Sequence, residues 1–216
     1  MKKRLLIIAA TLFIFALNPL AITSVFSKVL PKLEHSPGAN SKQKMLYILH
    51  HSDRSVMRLA GTTQINSWTM TAENVQGTCE IGLSSDHELS EIDQLSFRLA
   101  VHDLKGDSKA MENEAYHSLK ADEYQEITFN LISAKVTRQN NELYHLEALG
   151  NLTVAGVTKT ITLTGFSKFV YGESISFSGS TVLHMSDFKI ERPYVLFGLI
   201  RARDEMTLSY NLSFSK

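Results

Sequence analysis

Hydrophobic and polar residues alternate along most of the chain from Met45 to its end. The clearest stretch is the last one, where serine, threonine and asparagine separate five larger side chains: Met206, Leu208, Tyr210, Leu212 and Phe214. Because successive side chains of a strand point to opposite faces, this period of two predicts half-buried β-strands, with those five residues facing inward. The same alternation occurs over residues 95–101, 127–131, 144–154, 161–163 and 175–177.

One segment, residues 108–120, interrupts the alternation. Its apolar residues recur at the spacing of a helix: Met111, Ala115 and Leu119. Asp107 or Ser108 can cap its first turn, because a short polar side chain can accept from the free backbone N–H groups there. The spacing therefore predicts one short helix within a chain of strands.

Turn-forming residues separate the strands at Asn140–Asn141, Gly156 and Gly172. Many strands with one helix predict an all-β protein, and at this length a closed barrel or a sandwich. An eight-strand barrel is just wide enough either to fill with side chains or to hold one elongated ligand. The alternation alone does not choose between these two interiors.

Composition narrows the class of protein. The chain has 216 residues, 44% of them hydrophobic, which is enough for one core and too apolar for a disordered chain. Its 22 basic and 22 acidic residues cancel, and this argues against a nucleic-acid partner. The single cysteine, Cys79, excludes a disulfide within the chain.

The N-terminus has the order of a secretory leader. Lys2, Lys3 and Arg4 precede an apolar run from Leu5 to Leu17, which is shorter than the ~20 residues that span a bilayer. The expectation is a signal peptide over residues 1–27, then a linker over 28–43, and a periplasmic or secreted location. An uncleaved N-terminal anchor is the alternative. Removing the leader leaves 22 − 3 = 19 basic against 22 acidic residues, a net charge of −3.

Five segments carry more specific patterns, in chain order: GTTQINSWTM (61–70), SKAMENEAYHSLKADEYQEITF (108–129), GNLTVAGVTKTITL (150–163), SDFKI (186–190) and DEMTLSYNLSF (204–214). Together they resemble the YceI-like, lipid/polyisoprenoid-binding family over residues 44–216. The resemblance implies a lipocalin-like, extended antiparallel β-barrel with one short helix inserted. It also implies an interior that holds an amphiphile with an isoprenoid tail, without a cofactor.

The sequence departs from that family's motifs at three positions. Gln125 stands where the family often has proline, and Asn66 where histidine is common. Lys189 stands where glycine is common, which suggests a different loop conformation at the start of a strand near the barrel's mouth.

The sequence contains only weak indications of a catalytic or metal site. Ser186 and Lys189 form an SxxK string, but it lies in sequence patterned as a strand and lacks the companion motifs of penicillin-recognising enzymes. The eight histidines are scattered, without the spacing of a zinc site. The expectation is therefore a protein with no catalytic residues and no metal.

The aromatic residues are more informative. Those on or beside the alternating faces are Trp68, Phe97, Phe129, Phe166, Phe177, Phe188 and Phe197. They pack in a core or line an apolar pocket that binds a ligand. Three arginines expected near the mouth either stay solvated or meet a head group such as a pyrophosphate: Arg192, Arg201 and Arg203.

Two functions remain open after these observations. The first is a non-catalytic carrier or reservoir for an isoprenoid lipid or quinone, with transient membrane contact. The alternative is a secreted stress-response or interaction barrel with a side-chain-filled core and no lipid ligand. An enzyme acting on a lipid is disfavoured by the missing catalytic constellation.

Overall fold

The computed structural model describes residues 43–49, 55–195 and 198–216, which contain thirteen strands and one α-helix. The strands are β1 (Gln43–Leu49), β2 (Val56–Thr62), β3 (Ser67–Ala72), β4 (Val75–Leu83), β5 (Leu89–Ala100), β6 (Lys105–Gly106), β7 (Glu126–Arg138), β8 (Leu143–Val154), β9 (Val157–Val170), β10 (Ser174–His184), β11 (Tyr194–Val195), β12 (Ile200–Arg201) and β13 (Glu205–Ser215). Helix α1 spans Lys109–Ser118, and short 3₁₀ helices span Val101–Asp103 and Met185–Phe188. The predicted leader and all of the predicted linker except Gln43 lie outside the described residues.

Eight antiparallel strands close into a barrel in the order β1-β4-β5-β7-β8-β9-β10-β13. The ring closes where the end of β13 meets β1, with Phe214 opposite Leu49. The predicted all-β barrel with one short helix is confirmed, and closure decides between the barrel and the sandwich. Closure also removes the free sheet edges that an open sheet would present.

The barrel wall branches at β13. The first part of this strand pairs with β2, with Leu208 opposite Leu59, whereas its last residues pair with β1. β2 in turn pairs with β3, and β3 with the short β6. The β2–β3 hairpin therefore extends the wall at one end of the barrel.

The predicted inward face of β13 is confirmed. Four of its five alternating residues are buried, and Leu208 is half-buried. On the same strand Ser209, Asn211 and Ser215 are exposed. A strand with one face on the core and one in water needs this alternation.

Helix α1 begins as the sequence predicts. The Ser108 hydroxyl accepts a hydrogen bond from the backbone N–H of Met111 at 3.2 Å, so Ser108 is the N-cap. The predicted turns are also present. Gly156 and Gly172 both have φ +75°, a conformation that glycine adopts freely, and Asn140 Oδ1 accepts from the backbone N–H of Leu143.

The segment Ser186–Lys189 is not part of a strand, contrary to the sequence pattern. Its first three residues belong to the 3₁₀ helix Met185–Phe188, and Lys189 is the C-cap, with a left-handed φ of 54°. Asp204 stabilises this turn, because its carboxylate accepts from both the hydroxyl (2.7 Å) and the backbone N–H (2.8 Å) of Ser186. These bonds hold the pKa of Asp204 below its usual value.

Candidate ligand-binding site

One end of the barrel is hollow. A cavity of about 340 Å³ lies within the range of small-molecule sites. Its walls come from β2, β3, β5, β7, β8, β10 and β13, from helix α1 and from the 3₁₀ helix Met185–Phe188. Most lining side chains are aliphatic, aromatic or methionine, so the cavity suits an apolar ligand.

The other end of the barrel is filled with side chains. Side chains that are fully buried there include Tyr47, Tyr144, Ile175 and Phe214. Aromatic pairs interlock at this end: Tyr47 packs edge-on against Phe169 at 6.3 Å, and Phe177 packs edge-on against Phe214 at 5.5 Å. None of these residues lines the cavity. Both interiors considered for the barrel therefore occur, one at each end.

A stacked aromatic pair marks the boundary between the two ends. Phe97 on β5 lies directly opposite Phe129 on β7, with ring centroids 5.0 Å apart and planes 10° from parallel. Phe97 lines the cavity, whereas Phe129 has no exposed surface and does not. Gly150 makes room for this pair, because a Cβ at that position would lie 2.3 Å from the Phe129 ring.

Helix α1 forms one wall of the cavity. Met111, Ala115 and Leu119 line it, so the apolar stripe predicted from their spacing faces the site. Two hydrogen bonds to neighbouring elements hold the helix in place. The Tyr116 hydroxyl donates to the carbonyl oxygen of Leu104 at 2.7 Å, and the backbone N–H of Gly106 donates to Oε1 of the buried Glu112 at 3.4 Å. Within the helix, Glu112 pairs with Lys109 at 2.7 Å. The Lys109 ammonium holds the pKa of Glu112 below its usual value.

Four polar side chains of the lining are at least partly exposed to solvent and form its rim, whereas Ser118 on α1 is buried. Thr63 and Asn66 come from the β2–β3 loop, where the Thr63 hydroxyl donates to Asn66 Oδ1 at 2.5 Å. Glu114 lies on α1, and its Oε1 accepts from the backbone N–H of Tyr194 at 3.4 Å. An apolar interior with a few polar groups at the rim fits an amphiphile with its head toward solvent.

The seven aromatic residues predicted to bind ligand do not all lie in the cavity wall. Three line the cavity: Trp68, Phe97 and Phe188. Phe129 and Phe177 are buried in the barrel but outside the cavity lining. The prediction for Phe166 is wrong, because this residue lies on the outer face of β9, opposite the face that carries the buried Leu163. Its side chain is 47% exposed and packs against His145. Phe197 lies outside the described residues.

Several lining residues were not among the predicted site residues. They are aliphatic or methionine side chains of β2, β3, β10 and β13, with one from the 3₁₀ helix: Met57, Leu59, Met70, Leu183, Met185, Met206 and Leu208. The alternation of β13 already points two of them inward. It cannot separate a residue beside empty space from one packed in a core.

Ser186 and the cysteine take no part in this site. The Ser186 hydroxyl is bound to Asp204 and lies outside the cavity. Cys79 is fully buried in the filled end, where burial raises the pKa of its thiol to about 12. Among residues 43–49, 55–195 and 198–216, no three His, Cys, Asp or Glu side chains cluster as metal ligands. In the same ranges no helix is long and apolar enough to cross a membrane.

Solved structures with the same fold share little sequence with this chain. Burkholderia cenocepacia BcnA is 12% identical with a TM-score of 0.59, and the match covers 76% of this chain and 98% of BcnA. A polyisoprenoid-binding domain from Saccharophagus degradans is 9% identical with a TM-score of 0.57, covering 78% and 97%. The Campylobacter jejuni YCEI protein is 19% identical with a TM-score of 0.52, covering 87% and 96%.

Sequence comparison identifies the family directly. No protein of curated function matches the chain. The model of the YceI-like domain, in contrast, matches residues 48–214, from the end of β1 to the end of β13. This span includes the end of β1, the other strands of the closed barrel almost entirely, and every described residue that lines the cavity. Because the match covers most of its length, the chain belongs to the YceI-like family.

Proposed function

We propose that this protein is a non-catalytic carrier that holds the apolar tail of an isoprenoid lipid or quinone in the hollow end of its barrel. The observation that carries the proposal is the apolar cavity of about 340 Å³, walled by strands and by α1. Membership of the YceI-like family supports it. So does the fold shared with the S. degradans domain, which is described as polyisoprenoid-binding.

Burial of the apolar tail alone supplies enough free energy for this function. Each methylene group that moves from water into an apolar interior contributes about 0.8 kcal/mol, so a prenyl tail binds without a covalent bond to the protein. The lining residues also suit a carrier better than an enzyme. Glu114 is the only charged side chain among the described lining residues, and no histidine, lysine or cysteine is among them.

Binding is tested with Trp68, which is the chain's only tryptophan and lines the cavity. A short-tailed prenyl quinone should quench its fluorescence saturably. Ala115→Phe, which adds a ring on the cavity face of α1, should weaken binding, whereas Asn113→Phe, on the exposed face of the same helix, should not. No saturable quenching in the unmodified protein would reject the carrier and favour the interaction barrel without a lipid.

We further propose that the carrier is exported and acts in the periplasm or outside the cell. The basic residues and the short apolar run of the predicted leader support this. N-terminal sequencing of the mature protein should find a start between Ala21 and Ser36. Retention of Met1 on membrane-bound protein would instead favour an anchor.

Loading from a membrane would place the rim against the bilayer. Two of the most exposed apolar side chains flank the rim: Ile65 between Thr63 and Asn66, and Leu199 beside Ile200, at 72% and 80% exposure. Ile65→Ser and Leu199→Ser should slow the transfer of a prenyl quinone from vesicles. Leu46→Ser, on the outer face of β1, should leave the transfer rate unchanged.

A further inference from the structure

One lining residue differs in charge from all the others. Glu114 is the only charged side chain among the described residues that line the cavity. It is half-buried on α1, and its single described hydrogen bond comes from the backbone N–H of Tyr194 at 3.4 Å. A carboxylate has about four acceptor sites, so most of its capacity is free for a ligand.

The arginines near the rim make their described contacts with other protein groups. The Arg201 guanidinium lies over the Tyr194 ring at 5.5 Å, and Arg203 Nε donates to the carbonyl oxygen of Thr63 at 3.3 Å. Neither these two residues nor Arg192 line the cavity. Phosphate groups are usually bound by arginine, by lysine or by free N–H groups at a helix N-terminus. The arginine cluster suggested for a pyrophosphate head is therefore not built into this cavity.

The N-terminus of α1 does not replace those arginines. The Ser108 hydroxyl already accepts the backbone N–H of Met111. The Lys109 ammonium is paired with the Glu112 carboxylate at 2.7 Å, which also places negative charge in the first turn of the helix. A phosphate at this end of the cavity would therefore meet the Glu114 carboxylate and no basic side chain among the described lining residues.

We infer that Glu114 makes the cavity selective for amphiphiles whose head donates a hydrogen bond and carries no negative charge. This class includes prenyl alcohols, prenylamines and the hydroquinone form of a quinone, and it excludes prenyl phosphates. The inference rests on the proposed function for the tail and adds the chemistry of the head. Glu114 is the acceptor for the donating group, and its charge repels an anionic one.

Three compounds with one tail test the head chemistry: farnesol, farnesylamine and farnesyl diphosphate. At low ionic strength the alcohol and the amine should bind at least about tenfold more tightly than the diphosphate, because like charges at short range change affinity by such a factor. Glu114→Gln, which keeps the shape and an acceptor oxygen, should tighten diphosphate binding, weaken amine binding and leave farnesol nearly unchanged. Glu173→Gln, an equal charge change in the exposed turn between β9 and β10 at the filled end, should change none of them.

The results separate this inference from the carrier proposal. Equal binding of all three compounds, or tightest binding of the diphosphate, would overturn the role of Glu114 and leave the tail-binding cavity in place. Binding by none of them would overturn both proposals. Thermal melts of both variants should match that of the unmodified protein, because Glu173 is exposed and a glutamine at position 114 can still accept from Tyr194.

Discussion

Gly61 and Trp68 are direct cross-strand partners, and the indole ring lies where a side chain at position 61 would be. A Cβ on Gly61 would come within 2.3 Å of Trp68 Cζ2 and 2.6 Å of Cε2. The missing side chain on β2 thus lets the largest side chain of β3 lie flat against the sheet and form part of the cavity wall. The indole N–H is buried there without a hydrogen-bond partner among the described residues.

Gly61→Ala should therefore displace the indole ring. We expect the free energy of unfolding to fall by about 1–3 kcal/mol, as for an overpacked core position, and the emission of Trp68 to shift. A double-mutant cycle with Trp68→Ala provides the control. The cost of Gly61→Ala should largely disappear when the ring is absent. An equal cost in both backgrounds would contradict the contact.

The hollow and filled ends predict different costs for the same substitution on one strand. Leu208 lines the cavity, whereas Leu212 is 2% exposed and packs in the filled end. Leu212→Ala should cost about 2–5 kcal/mol, and Leu208→Ala less than about 2 kcal/mol, because fewer packing contacts are lost beside empty space. Urea denaturation of both variants without ligand measures the difference. Similar losses would indicate that the barrel is filled throughout.

Tyr210 supports the barrel where two strands separate. The β9–β10 pairing ends at Gly165 opposite Gly179, and next to it the Tyr210 hydroxyl donates to the carbonyl oxygen of Thr164 at 3.1 Å. Tyr210→Phe would leave that carbonyl without this partner. We expect a loss of about 1–3 kcal/mol in the free energy of unfolding. A thermal melt equal to that of the unmodified protein would show that the bond contributes nothing.

The same tyrosine makes stability depend on alkaline pH. Burial raises the pKa of Tyr210 from 10.0 to about 12, and that of Cys79 from 9.0 to about 12. Between these values the folded state keeps protons that the unfolded state has lost, so stability falls as pH rises from about 9 to 12 and is intact below that window. In urea titrations at pH 8 and pH 11, Tyr210→Phe and Cys79→Ala should each show a smaller decrease than the unmodified protein.

Lys189 is a site where a substitution should stabilise the fold. Its left-handed φ of 54° brings its Cβ close to the backbone, a steric cost that glycine avoids. Lys189→Gly should raise the free energy of unfolding by about 0.5–1 kcal/mol, after allowance for the greater freedom of glycine in the unfolded chain. Lys189→Ala keeps the Cβ and should give no such gain. Equal stability of the two variants would exclude backbone strain at this position.

Local patterns along the chain were sufficient to predict these elements of secondary structure. Alternation predicted the inward face of β13, and helical spacing predicted α1 with its cap at Ser108 or Asp107, of which the structure uses Ser108. These features depend on periods of two and 3.6 residues that are written directly in the sequence. The motifs from residue 61 to residue 214 pointed to the YceI-like family, which the family match confirms.

Local patterns failed where a distant partner determines the conformation. The segment Ser186–Lys189 reads as a strand, but it forms a 3₁₀ helix because Asp204, 18 residues later, accepts from Ser186. Phe166 shows the same limit. Its aromatic character suggests an interior position, but the register of β9 places it on the outer face against His145.

The sequence by itself determined half-buried strands with an apolar inner face, because alternation along each strand depends only on nearby residues. The tertiary structure decided that these strands close into a barrel, and which part of its interior is empty. Phe97 and Phe129 are both aromatic and both point inward, yet only Phe97 lines the cavity. Empty volume is set by how side chains from strands distant in sequence meet across the barrel, and no pattern within one strand contains that information.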